Sequence, residues 1–207
     1  MPNESPQTII FIHGGNTYAS YDEYIQHLTN VPVDTETLFR KKWRHTLGEV
    51  LGDGYAVLSP HMPNKDNARY LEWSIWFEKY LPLIPKDIIV IGHSLGGLFL
   101  SKYLSEHTID KTIRGLFLVC PPFNADSNDS YNLVDFSLSP EKLAHISNQA
   151  QSIFHYHSTD DPIVPYAESQ KYRAALGGSH FIHRALQGRG HIWGEEFPEI
   201  IDDIKSL

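Results

Sequence analysis

The sequence predicts an α/β protein, a three-layer α/β/α sandwich around a mostly parallel sheet of six strands. Two observations predict it. Strand-sized apolar runs alternate with helix-periodic stretches along the whole chain, as they do where crossover helices join parallel strands. The runs Thr8–His13 and Ile88–Ile91 are apolar without alternation, which suits strands covered on both faces.

At 207 residues the chain is long enough for one sizeable core, and no Pro/Gly/Ser-rich break divides it, so residues 1–207 read as a single domain. Its 41% hydrophobic content is that of a globular protein, and its apolar runs are far shorter than a membrane span. A net charge of −8 argues against nucleic acid as a partner. The polar start, Met1 to Pro6, lacks a signal peptide's apolar stretch, and the lone Cys120 reads as a buried apolar residue. Both features agree with a cytoplasmic protein having no membrane partner. Its protein partners are unknown.

Taken in order, Thr8–His13 is the first strand, and Gly14-Gly15 ends it. Ser20–Thr29 and Thr35–Val50 read as helices, with Ser20 and Thr35 as N-caps and Glu23 and Glu36 in the first turns. The basic run Arg40-Lys41-Lys42-Trp43-Arg44 falls inside the second of these and reads as a solvated face. Tyr55–Ser59 is the second strand, followed by a loop at the crevice edge whose His61 reads either as a substrate contact or, with preference, as loop packing. Asn67–Leu81 is a helix with Trp73, Trp76, Phe77 and Tyr80 at core-facing spacing, stopped by Pro82 and Pro85. Ile88–Ile91 is the third strand, Leu98–Glu106 a helix, and Ile113–Cys120 the fourth strand. The polar segment Phe123–Pro140 is too short for a large helical lid and predicts an open or lightly covered site. Gln151–His157, Pro165–Ala175, His180–Leu186 and Gly194–Leu207 complete the pattern as strand, helix, strand and helix.

The third strand ends in Gly92-His93-Ser94-Leu95-Gly96, a tight strand-to-helix turn of the G-x-S-x-G type. Such a turn lifts the serine hydroxyl clear of the sheet and aims the N–H of Leu95 where an oxyanion would form. The loop His13-Gly14-Gly15-Asn16 lies where a second N–H is needed, and either Gly15 or Asn16 supplies it. A serine nucleophile needs a base and an acid from the C-terminal ends of later strands, where both reach the same sheet edge. Asp160 and Asp161 follow the fifth strand. Adjacent acids point in different directions, so one is the partner: Asp161 is favoured, and Asp160 reads as a turn or solvent residue. Among twelve histidines, His191 has the best case, because it sits in the glycine-rich loop Gly188-Arg189-Gly190 after the last strand. His180 and His183 read as strand residues.

His155-Tyr156-His157 with the two acids has metal-ligand residue types, but its spacing departs from the His-x-His-x-Asp-His pattern of metallo-hydrolases. No metal and no cofactor is expected. The intact Ser, Asp and His set predicts a carboxylesterase-like serine hydrolase that cleaves a small-molecule ester, or a thioester or amide, through an acyl-enzyme. The alternative is a binding module of the same fold with a vestigial triad.

These residues resemble the α/β-hydrolase superfamily, and more closely the small serine-hydrolase family that includes retinoblastoma-binding protein 9. The marks are Gly92-His93-Ser94, Ser158-Thr159-Asp160-Asp161-Pro162, Gly190-His191 and the near-minimal size. The resemblance implies the minimal α/β-hydrolase fold with strand order 2-1-3-4-5-6, and it places Ser94, Asp161 and His191 at nucleophile, acid and base. The loop His13-Gly14-Gly15-Asn16 and the long connection from Asn16 to Gly54 depart from the family, so the pocket wall is expected to differ.

Overall fold

In the computed structural model, which describes residues 5–35, 39–123 and 133–207, six strands form one sheet. They are β1 (Gln7–Ile12), β2 (Tyr55–Leu58), β3 (Asp87–His93), β4 (Thr112–Val119), β5 (Ala150–Ser158) and β6 (Phe181–Leu186). Their order is β2-β1-β3-β4-β5-β6, and every neighbouring pair is parallel.

Helices cover both faces, which is why the strands carry unbroken apolar runs. Ile10, Ile12, Ile88 and Val90 point into one core with Trp73 and Phe77 of α3 (Tyr70–Tyr80), Leu98 and Phe99 of α4 (Leu95–Glu106), and Tyr172 of α5 (Ala167–Leu176). Their sequence neighbours Ile9, Phe11, Ile89 and Ile91 point into the other. That core is closed by Trp43 and Leu47 of α2 (Trp43–Leu51) and by Ile200 and Ile204 of α6 (Pro198–Lys205). The strand order reverses at β1, so the C-terminal ends of β1 and β3 border the crevice where open α/β sheets bind ligands.

Several boundaries differ from the sequence reading. The stretch expected as one helix over 35–50 is helical at Thr35 and Phe39, breaks at residues 40–42 and is helical again from Trp43, with 36–38 outside the described residues. α1 (Tyr21–Asn30) is capped as expected, Ser20 Oγ accepting from the Glu23 N–H at 3.2 Å. Only two of the four aromatics on α3 are core: Trp73 and Phe77 are fully buried, whereas Trp76 is exposed and packs edge-on against Tyr80. The face turned to the sheet runs through Tyr70, Trp73 and Phe77, which leaves Trp76 on the flank. His180 precedes β6, not within it. The last helix starts at Pro198, whose fixed φ and missing N–H suit the first turn, so Glu195 and Glu196 lie ahead of it. Half of the segment 123–140, on which the expected open or light cover rests, lies outside the described residues, at 124–132. No described helix is long and apolar enough to cross a membrane.

Candidate active site

From Ile88 to Ser101 every residue is buried except Ser94. Ser94 joins β3 to α4 with φ 55° and ψ −124°, a backbone conformation that costs a non-glycine residue of the order of 1–3 kcal/mol. The neighbouring glycines let α4 approach the sheet. A Cβ on Gly92 would lie 2.6 Å from the Gly96 carbonyl oxygen, and one on Gly96 would overlap the carbonyls of Ile12 and His13. The glycines thus serve close packing of α4 on β1 and β3 as well as the turn itself.

His191 and Asp161 meet beside this elbow. His191 Nδ1 and Asp161 Oδ2 are 2.7 Å apart, and both side chains are buried. The other carboxylate oxygen, Oδ1, accepts from the backbone N–H groups of Ile163 at 2.8 Å and Val164 at 3.0 Å. Burial pushes the Asp161 carboxyl up, but the His191 hydrogen bond and charge and the two backbone donors outweigh it and hold it below the usual value. Asp161 is therefore ionised and accepts the Nδ1 proton of His191. Asp160 points elsewhere: its Oδ1 accepts from Ser158 Oγ and from the Gly188 N–H at 2.9 Å, bracing the loop after β5 against the loop after β6.

The loop after β1 runs alongside Ser94. A Cβ on Gly14 would stand 3.1 Å from Ser94 Cβ. Of the two residues expected to supply a second oxyanion donor, Asn16 has its N–H bonded to the Lys65 carbonyl at 2.8 Å. The Gly15 N–H makes no hydrogen bond among the described residues. Gly15 itself is fixed by crowding, since a Cβ there would fall 2.5 Å from the Lys65 oxygen. Leu95 is the first residue of α4, where backbone N–H groups have no helical acceptor.

Ser94, Leu95, Gly15, Asn16 and His191 all line one cleft of about 1260 Å³. Sequence reasoning gave no role at the site to several of the residues that build it. His93, within the elbow, contacts the His191 carbonyl through Nε2 at 3.0 Å; burial and the neighbouring His191 press its pKa to about 3, so it stays neutral and donates. His13 ties two loops together, its Nδ1 2.7 Å from the Gly14 carbonyl and its Nε2 accepting from the Met62 N–H at 3.0 Å. Trp43 anchors the His191 loop, its Nε1–H donating to the Ile192 carbonyl at 2.9 Å and its backbone N–H to Gly194 at 2.9 Å. The basic run is a solvated face only at Arg40 and Lys41, which are exposed: Trp43 is core, Arg44 is half-buried on the cleft, and Lys42 Nζ sits 5.5 Å from the Trp193 ring centre. His61, for which the sequence prefers loop packing over substrate contact, is exposed and lines the cleft.

Cys120 is buried as expected, yet it lies against the Asp161 carboxylate, and burial and that charge push its thiol pKa up. Backbone strain gathers around these groups: Ser94, Cys120 and Ile192 all have positive φ, the last a β-branched residue. One cluster of metal-ligand atoms, from Cys120, Asp161 and His191, falls within 4.8 Å among the described residues. Its thiol is held protonated and its other two members bond each other, which makes it a poor metal site. His155 and His157 do not converge on Asp160. His155 Nδ1 lies 3.0 Å from His183 Nδ1, and His157 Nε2 lies 2.9 Å from the Val164 carbonyl.

A family model described as serine hydrolase matches residues 40–197, which span the elbow and both loops of the Asp161–His191 pair. The chain belongs to the serine hydrolase family. It is similar to the serine hydrolase RBBP9 of Rattus norvegicus, at 28% identity over 154 residues, covering 74% of this chain and 78% of that protein. Among solved structures it resembles the ydeN gene product of B. subtilis, with TM-score 0.70 at 18% identity over 97% of each chain. It also resembles a monoacylglycerol lipase from Paleococcus ferrophilus, with TM-score 0.59 at 15% identity over 98% of this chain and 96% of that one. These structural likenesses establish the α/β-hydrolase fold for this serine hydrolase family member.

Proposed function

We propose that this serine hydrolase cleaves a small carboxylic ester through an acyl-enzyme on Ser94, with His191 as general base and acid and Asp161 as its orienting carboxylate. The single observation that carries the reading is the strained, solvent-facing Ser94 on the same cleft as the buried His191–Asp161 pair. Because Asp161 accepts from Nδ1, Nε2 is the nitrogen left to take a proton from Ser94, and it makes no hydrogen bond among the described residues.

In the reaction, His191 Nε2 takes the Ser94 hydroxyl proton as Oγ attacks the ester carbonyl. The carbonyl oxygen becomes an oxyanion, met by the N–H groups of Leu95 and Gly15. Collapse of this intermediate breaks the bond to the alcohol, which leaves with the proton from His191, and Ser94 keeps the acyl group. Water then repeats the sequence, its proton passing to His191 and back to Ser94 Oγ, and releases the acid. The Asp161 charge favours the imidazolium formed in both halves.

Hydrolysis of p-nitrophenyl butyrate by the parent and by Ser94→Ala tests this reading. Loss of a nucleophile of this kind costs roughly 10⁴–10⁶-fold in turnover. Equal rates for the two proteins would rule Ser94 out as the nucleophile.

A further inference from the structure

The wall of the cleft carries a charge that the reaction at Ser94 does not use. Arg44, the second residue of α2, is half-buried and lines the cleft with Ser94 and His191. It makes no hydrogen bond and no ion pair among the described residues, and burial alone pushes its pKa down. A desolvated cation without a counter-charge is unfavourable, and in a chain of net charge −8 acids to pair with it are plentiful.

The other charged groups of the cleft already have partners. Lys65 Nζ pairs with Asp66 at 2.8 Å. The Glu23 carboxylate accepts from the Ala19 N–H at 3.0 Å, at the N-terminus of α1. The nearby imidazoles offer no negative charge: His13 and His93 are bound to backbone groups and their pKa values are pressed down by burial, while His45 Nδ1 accepts from the Lys42 N–H at 3.2 Å. Nor is Arg44 free to swing into solvent with its helix, because Trp43 beside it is bonded through both nitrogens to the His191 loop.

We propose that Arg44 is an anion-binding residue of the substrate site, and that the substrate class is an ester bearing a second, oxyanionic group such as a carboxylate. The inference rests on the reading of Ser94 as the nucleophile of the same cleft. A guanidinium presents paired N–H donors that fit a carboxylate, and pairing it inside a half-desolvated cleft satisfies the charge that the fold leaves unmet. A cleft of about 1260 Å³ has room for such a group beside the scissile bond. Arg44 acts here on specificity and not on the bond-breaking step.

The test compares p-nitrophenyl butyrate with the mono-p-nitrophenyl ester of glutaric acid, using the parent, Arg44→Gln and Arg44→Lys, each checked for folding by circular dichroism. In Arg44→Gln the charged-over-neutral ratio of kcat/KM should fall about tenfold to a hundredfold, chiefly through KM, with partial recovery in Arg44→Lys. An unchanged ratio in Arg44→Gln overturns the proposal. A second arm needs no turnover: glutarate binding to Ser94→Ala, followed by calorimetry, should weaken by a similar factor, about tenfold or more, when Arg44→Gln is added. Absent glutarate binding, or binding indifferent to Arg44, also overturns the anion site. If neither ester is hydrolysed while glutarate binding still depends on Arg44, the reading of Ser94 fails and the anion site stands.

Discussion

Two helices of similar length reach the same cleft and are held in opposite ways. Ten of the twelve residues of α4, which follows Ser94, are buried. α1, whose Glu23 and His27 also line the cleft, has no buried residue, and its Tyr21, Ile25 and Leu28 are exposed. The difference separates two tasks. The nucleophile needs a fixed position, and a helix jammed by glycine contacts against β1 and β3 supplies it. A substrate wall needs shape and charge, and it can be built on a helix with little core behind it.

The contrast predicts where changes are costly. Its largest expected effect lies in the acid pair. Asp161→Asn should preserve the fold but lower kcat by roughly 10³–10⁴-fold, because an amide no longer selects the useful imidazole tautomer. Asp160→Asn, which disturbs only a loop brace, should cost less than about tenfold. Steady-state kinetics of the two variants on one ester checks the pair, and similar losses in both would erase the distinction drawn from the 2.7 Å contact of Asp161 with His191.

A smaller effect sharpens the same contrast through two glycines. Gly96→Ala should destabilise by about 3 kcal/mol, since its Cβ would meet the carbonyls of Ile12 and His13, backbone groups that cannot yield cheaply. Gly48→Ala, on the face of α2 that packs on β2, would meet Val57 Cγ2 at an ordinary 3.5 Å and should stabilise by about 0.5 kcal/mol through the unfolded chain. Chemical denaturation of both variants reads the difference. A mild Gly96→Ala would mean that α4 is not wedged as described.

The smallest effect is spread over the buried histidines. His93, pressed to about 3, and His183, pressed to about 4, together with His155 and His157, are held below the ordinary 6.5 mainly by burial. The unfolded chain then binds more protons than the folded one below about pH 6.5, so stability should fall as the solution is acidified from there toward the folded values. Thermal denaturation between about pH 7 and about pH 4 should show Tm declining, with a shallower slope in His183→Gln. A flat profile would mean that these imidazoles are as accessible in the folded state as in the unfolded chain.

Much of this was legible in the sequence where a residue's role follows from chain order and turn chemistry. The elbow, the parallel sheet and the meeting of Asp161 with His191 depend on strand ends that apolar runs and glycines mark. What was not legible depends on which way a side chain faces across long sequence separations. Trp43 and Arg44 sit in a run that looks solvated, and only the packing of α2 against the His191 loop turns one into core and the other toward the cleft. The hydrogen bond of the Asn16 N–H to Lys65, a residue in the loop after β2, was equally hidden. His93 offered no signal beyond its place in the elbow, and its bond to the His191 carbonyl spans 98 positions.

Labelling with a fluorophosphonate probe tests whether the His191–Asp161 pair activates Ser94. Intact mass and peptide mapping of the parent, Ser94→Ala and His191→Ala should show one adduct, on Ser94, lost in both variants. A folded parent that takes no adduct, or a Ser94 labelled equally well without His191, would contradict the account.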